Sequence, residues 1–323
     1  MREMRGLGPT AIILLGSVGL LLAATPLLPN KLSAPSDGAS AVRAQQEPTA
    51  PAASGTIKVF VSVRDKEGRA VHDLSPQDMQ ILEKGQPQKI EALVPATLAL
   101  GLLIDSSASR RKLFPAVERE PARLLLASVL HGKSEASVVA FSFEPKLLAG
   151  PTGDLARLNA AIELATTNFS GWTAFYAALE FSANALRADE SVARVLIVVS
   201  DCKDNLSYGD REKVIETLRR TNTRVYVVVI QAEAEVTDRV PIRHRRFAAE
   251  MAKATGGLAL LATKPDQVRA GFHAITEDLC GLYLVEFRPT NPAHDGRFRK
   301  TEIKTARKGL RVTGPEGYYA PVQ

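Results

Sequence analysis

The chain of 323 residues is 45% hydrophobic and 24% charged, an ordinary globular balance with room for one large domain and a smaller one. A net charge of +6 is modest for this length: it permits an acidic partner or an anionic surface without requiring nucleic acid. Zinc-finger spacing, RNA-binding aromatic patterns and a G-x-G-x-x-G are all absent, and Cys202 and Cys280 are too few for a disulfide scaffold.

Arg2 and Arg5 precede Ala11 to Leu28, a mostly apolar run. A charged segment before an apolar core reads as a secretory signal over 1–29, and the run is long enough to serve instead as an uncleaved anchor. Residues 30–55 are rich in Ala, Pro, Ser and Gln without a hydrophobic period, the composition of a flexible linker. From Thr56 the pattern changes. Ile57, Val59, Val61 and Val63 alternate with Lys58, Ser62 and Arg64 as in a half-buried strand. Met79 to Glu83 and Gln88 to Val94 predict two further strands around Gly85. Three short strands over 56–95 cannot close a core alone.

Residues 96–281 alternate apolar strands with helical stretches. The strands are Leu98–Ile104, Ala136–Phe143, Val195–Ser200, Val225–Ile230 and Leu258–Ala262. Leu155, Leu158 and Ile162 form a helical stripe after an Asp154 cap, and Val268, Phe272, Ile275 and Leu279 form another. Pro121 predicts a kink or a late start for the first helix. Pro145 to Gly150 fits a short antiparallel edge strand. The expected fold is α/β, a doubly wound, mainly parallel sheet. Leu282–Phe287, Phe298–Thr305 and Leu310–Val312 return to β over 282–323. Both β-rich ends should leave the parallel sheet on its amino-terminal face and join into one small, discontinuous, sandwich-like β domain. Cys202 belongs at the carboxyl edge of that sheet and Cys280 at the other. A five-residue strand spans about 17 Å and a disulfide needs Cα atoms within about 7 Å, so no bond between them is expected.

The chemistry concentrates where the first buried strand stops. Asp105, Ser107 and Ser109 form D-x-S-x-S, hard oxygen donors on a loop at the carboxyl end of a central strand, suited to a hard divalent cation. Alone, the pattern equally describes a serine-rich cap. Two other stretches accompany it. Ser170-Gly171-Trp172-Thr173 puts a threonine at a helix start, and Arg194 to Asp201 is a buried strand ending in aspartate, followed by Cys-Lys-Asp-Asn.

Together these residues resemble the von Willebrand factor type A domain and its metal-ion-dependent adhesion site. The resemblance covers roughly Ala96 to Cys280. It implies that Asp105, Ser107, Ser109, Thr173 and Asp201 hold a divalent cation, Mg2+ or else Mn2+ or Ca2+, the two aspartates acting partly through water. Ala108 and Cys202 stand where glycine is more usual in the family, and Trp172 replaces the second glycine of a G-G-T. The tail is similar to that of secreted bacterial proteins related to the type A domain. It carries Tyr283 to Asn291, Asp295 to Arg299 and Gly317 to Pro321, preceded far upstream by Val-Arg-Asp-Lys-Glu-Gly and Leu-Ser-Pro-Gln-Asp-Met.

Hydroxyl ligands are neutral, so Asp105 and Asp201 alone would charge the site and leave an ion able to accept an outside carboxylate. G-x-S-x-G is missing, and His72, His131, His244, His273 and His294 form no ligand pair at helical spacing. The expectation is an interaction or adhesion module rather than an enzyme, exported to the periplasm, cell envelope or medium. Its partner would be a protein with an exposed acidic residue, with no nucleic acid and membrane contact only through the N-terminal segment. Arg110, Arg111, Trp172 and Lys203 flank the ligands, either to favour that acidic group or as solvated surface. Asp204 and Asn205 read as loop-ordering groups. Arg239, Arg243, His244, Arg245 and Arg246 read as a solvated helix start. A metal-assisted hydrolase and a metal-free envelope scaffold are the rival readings.

Overall fold

The computed structural model describes residues 55–322 except Phe114, Arg187, Ala188, Tyr208 and Gly209. The expected signal or anchor and the linker up to Ser54 lie outside these residues. Among the described residues no helix is long and apolar enough to cross a membrane.

Three strands come first: β1 (Ile57–Arg64), β2 (Met79–Glu83) and β3 (Gln86–Pro95). The next strands are β4 (Thr97–Asp105), β5 (Glu135–Phe141), β6 (Pro145–Thr152), β7 (Val192–Ser200), β8 (Thr223–Ile230) and β9 (Ala259–Ala262). They make a six-stranded sheet in the order β6-β5-β4-β7-β8-β9, parallel except for β6. Six helices cover it: α1 (Arg119–Val129), α2 (Leu155–Ala165), α3 (Phe175–Ala185), α4 (Arg211–Arg220), α5 (Arg239–Thr255) and α6 (Pro265–Cys280). β4 is buried on both faces because its residues alternate between two cores. Leu100, Leu102 and Ile104 pack with Leu125 of α1, Ile162 of α2 and Phe272 of α6. Ala99 and Leu103 pack with Phe175 of α3, Val214 of α4 and Phe247 of α5. Truncating such a leucine to alanine costs about 2–5 kcal/mol, so the strand that presents Asp105 is firmly held.

Pro121 falls in the first turn of α1, where its missing N–H costs nothing, so the helix starts late and has no internal proline. Asp154 caps α2, accepting from the amides of Ala156 and Arg157. The basic run lies on α5 as a mixed segment: Arg243 and Arg246 are exposed, His244 is buried, and Arg245 donates to Gln231. Its solvated reading therefore holds for only part of it, because the helix turns every fourth residue inward.

After α6 come β10 (Leu282–Arg288), β11 (Phe298–Thr305), β12 (Arg311–Thr313) and β13 (Gly317–Tyr319). With β1–β3 they form a seven-stranded antiparallel sheet in the order β12-β1-β10-β3-β2-β11-β13. β10 lies between β1 and β3, its neighbours from the other end of the chain. The sheet curls: Phe287 and Tyr318, several strands apart in its order, meet edge to face at 5.5 Å around a core of Val59, Val61, Ile81 and Val285. Gly281 makes the junction from α6 to β10, where a Cβ would lie 2.5 Å from the Val63 carbonyl oxygen.

One buried carboxylate links the two sheets. Asp278, near the end of α6, pairs with Arg64 of β1 at 2.9 Å, although that N–H does not point at the oxygen. Its other oxygen accepts from Arg224 at 3.2 Å and from the Tyr226 hydroxyl at 2.6 Å. Arg224 also donates to the carbonyls of Phe60 and Thr313. Cys202 and Cys280 are both free thiols.

Candidate metal centre

β4 and β7 are adjacent and parallel, with Ile104 opposite Val199, so the chain leaves both strands at the same edge. Asp105 ends β4, and Asp201 follows Ser200, the last residue of β7. Asp105 is held at both oxygens: Oδ1 accepts from the Ser107 amide at 2.9 Å, Oδ2 from the Ser200 hydroxyl at 2.6 Å. The hydroxyls of Ser107 and Ser109 are 3.1 Å apart.

The second loop is laced to the first. Ser170 donates its amide to Ser106 O, and Ala108 donates to Gly171 O. Gly171 has φ +76, and its missing side chain makes room for the Phe143 ring. The two backbone bonds hold the residues just before Thr173 against the serine loop. The third loop is laced to the second. Thr173 donates its amide to Asn205 Oδ1 at 2.8 Å, and the Asn205 amide returns a bond to Thr173 O at 3.1 Å. Asp204 accepts from the Tyr176 amide in the first turn of α3 at 2.8 Å. Asp204 and Asn205 thus order the loops, as the sequence suggests.

Cys202 adopts φ +58, the left-handed turn for which glycine is the usual residue. The turn brings the Lys203 amide back onto Asp201 Oδ1 at 3.1 Å. It also places the Lys203 ammonium 3.2 Å from Asp201 Oδ2 and 3.9 Å from Glu235 Oε2. The first contact satisfies the ion-pair distance, yet Oδ2 has no aligned hydrogen-bond donor. The distance and the misalignment describe one arrangement, an ammonium held by charge and not by a directed bond.

Asp105 is 0% exposed and Asp201 1%. Ser107 and Thr173 are also buried, whereas Ser109 is exposed, so the group opens to solvent on the serine side. Burial, reinforced by the charge of Asp201, pushes the Asp105 carboxyl up to about 6 against the opposing pull of Arg110. Arg110 is not the surface cation that its place in the sequence suggests. Its guanidinium is wholly buried, bonded to Glu118 at 2.6 Å and to Leu113 O at 2.9 Å. Burial pushes Glu118 up to about 7 despite that partner. Arg111 is exposed and donates to Phe169 O, and Trp172 is 58% exposed. His244, brought in by α5, is depressed by burial and drawn back upward by the charge of Asp201. Sequence spacing gives no sign of it, because α5 lies outside all three loops.

The donor set suits a hard cation. Two buried carboxylates repel each other, one oxygen of Asp201 lacks an aligned donor, and the Ser200 hydroxyl donates to Asp105. Among the described residues no group of three or more His, Cys, Asp or Glu is placed to hold a metal ion. An ion here would depend on Ser107, Ser109, Thr173 and water as well as the two aspartates. Residues 100–203 match the family model of the von Willebrand factor type A domain.

Residues 100–203 are thus similar to a type A domain.

Domains of this family often bind a divalent cation at such a site. No curated protein matches the chain. Among solved structures, an aerotolerance-related membrane protein from Bacteroides fragilis is 16% identical, with 56% of this chain and 98% of that one covered and a TM-score of 0.44. The pilus adhesin SpaC from Lactobacillus rhamnosus GG is 10% identical over 81% of this chain and 48% of its own, with a TM-score of 0.48. Proximal thread matrix protein 1 from the mussel byssus, solved with zinc in its adhesion-site motif, is 16% identical over 60% of this chain and 48% of its own, with a TM-score of 0.48.

Proposed function

We propose that the type A domain binds a protein partner through a divalent cation, Mg2+ or else Mn2+ or Ca2+, held by Asp105, Ser107, Ser109, Thr173 and Asp201. The observation that carries this reading is the pair of buried, mutually repelling carboxylates, Asp105 at the end of β4 and Asp201 just after the adjacent β7. Such a pair is costly unless a cation compensates it. A bound ion would supply an electrophilic position for an outside carboxylate. The residues of the chain do the rest: the aspartates provide charge, the hydroxyls complete the shell, and the laced loops fix their spacing. Exposed Arg111 and Trp172 at the rim favour an acidic side chain on the partner. Ser107 and Ser109 bond to each other, an arrangement of ligands more than of nucleophile and base. The role is therefore binding rather than turnover. Export rests on Arg2, Arg5 and Ala11 to Leu28, outside the described residues.

The test is partner capture from envelope extract by wild type, Asp105→Ala and Thr173→Ala, each with magnesium and with chelator. Capture should need both magnesium and the intact site. Equal capture by all three in chelator removes the metal from the contact, and ester or phosphate turnover lost in Asp105→Ala selects the hydrolase instead.

A further inference from the structure

We propose that Lys203 is an internal counter-ion that competes with the divalent cation for Asp201, the ion entering as the ammonium shifts to Glu235. The inference rests on the metal-site reading above and adds to it a residue that sets affinity.

Lys203 grips Asp201 twice, and the two grips differ. Its backbone amide donates to Oδ1, a bond fixed by the left-handed turn at Cys202. Its ammonium reaches Oδ2 only at the end of a flexible four-carbon stem, at 3.2 Å and without hydrogen-bond alignment. The amide is part of the loop's shape, while the ammonium can leave without disturbing it. Arg110, the other cation beside the aspartates, has no such freedom, because it is buried against Glu118 and Leu113 O.

The ammonium also has somewhere to go. Glu235, in the short turn Glu233–Glu235 after β8, lies 3.9 Å away, and its side chain is 39% exposed. Lys203 itself is 30% exposed, so the shift from one acid to the other runs along the surface. A unit charge in contact with a ligand oxygen opposes an arriving dication through direct repulsion and by occupying the oxygen it needs. Glu235 lowers that opposition by accepting the displaced ammonium. The two acids therefore have opposite indirect effects through one lysine.

The experiment titrates the full chain with Mn2+ alone and reads free Mn2+ by its paramagnetic resonance signal, with thermal melts confirming the fold of each variant. Lys203→Met should bind Mn2+ about tenfold tighter than wild type. Glu235→Gln should bind about threefold weaker, the lysine then staying on Asp201. In the double variant Glu235→Gln should have no further effect, because Glu235 acts only through Lys203. Lys203→Gln gives the same comparison if the methionine variant fails to fold. Saturable binding to wild type with no gain in the lysine variants overturns the counter-ion proposal and leaves the metal site standing. So does a Glu235→Gln loss that persists in the double variant, since that is a field effect independent of Lys203. Binding that appears only once Lys203 is removed supports the proposal, and no binding to either protein overturns both readings.

Discussion

Asp278 and the pair Asp105–Asp201 lie at opposite edges of the parallel sheet, and their surroundings treat negative charge in opposite ways. Asp278 is a single carboxylate contacted by Arg64, Arg224 and the Tyr226 hydroxyl. Those arginines come from β1 and β8, so satisfying the acid also joins two sheets. At the other edge Asp201 has one loosely held ammonium, and the guanidinium that acts on Asp105 is already committed to Glu118. Buried charge that two arginines of its own chain compensate builds structure. Buried charge left short of cations is instead available to an ion from outside.

The harshest test of the compensated edge removes residues 282–323. That deletion takes β10 from between β1 and β3, and β11 from beside β2, so residues 56–95 should lose all protection in limited proteolysis. A truncated chain with that segment still protected would show that the two ends are separate domains.

Next in size is Asp278→Ala, which leaves two arginines without their shared anion. It should cost about 3–5 kcal/mol in urea unfolding. A neutral outcome would erase the distinction between the two edges.

Asp105→Asn tests the other edge and should have the opposite sign. The raised carboxyl binds its proton more tightly in the folded chain than in the unfolded one, so ionised Asp105 weakens the fold as pH rises from about 3.8 to about 6. In chelator at pH 7 the asparagine variant should be more stable by about 1–3 kcal/mol, and it should lose saturable Mn2+ binding. Destabilisation in chelator would mean that the aspartate pair is already compensated.

The smallest effect is a slope. Glu118 is raised from 4.5 to about 7, so it should contribute a fall in stability across that window as pH rises. One group can contribute at most about 1.4 kcal/mol per pH unit. Glu118→Gln should remove this part of the slope whatever it does to overall stability, because the glutamine does not titrate. Urea midpoints measured from pH 4.5 to 7 read it directly. The surface carboxylates Asp65, Asp73, Asp78 and Asp295 are lowered and act below this range.

How far the sequence reveals each edge follows from the same physics. β4 and β7 are legible as unbroken apolar runs because both faces of a central parallel strand are buried, and the aspartate ending each run marks the edge. The antiparallel placement of β6 is also legible, since too few residues separate it from β5 for a crossover. β13 is not legible: Gly317–Tyr319 is too short to show alternation, and it pairs through β11. Lys203 and Arg110 look alike in sequence, two cations next to proposed ligands. Their difference lies in partners distant along the chain or beyond a loop, Glu235 for one and Glu118 for the other. His244 is hidden for the same reason, reaching the neighbourhood of Asp201 only because α5 packs beside β8.

The place of β10 also governs the order in which the molecule is assembled. Residues 57–95 leave the ribosome with their hydrogen-bonding edges bare, and the strand that fills the gap between β1 and β3 is made only from residue 282 onward. The parallel sheet can form in the interval, because all its strands lie between Thr97 and Ala262. Until then the first strands are held open, exposing Val59, Val61 and Val63 to any passing edge. A cell making this protein must keep that early segment apart from its neighbours until the strand from residue 282 onward has been made.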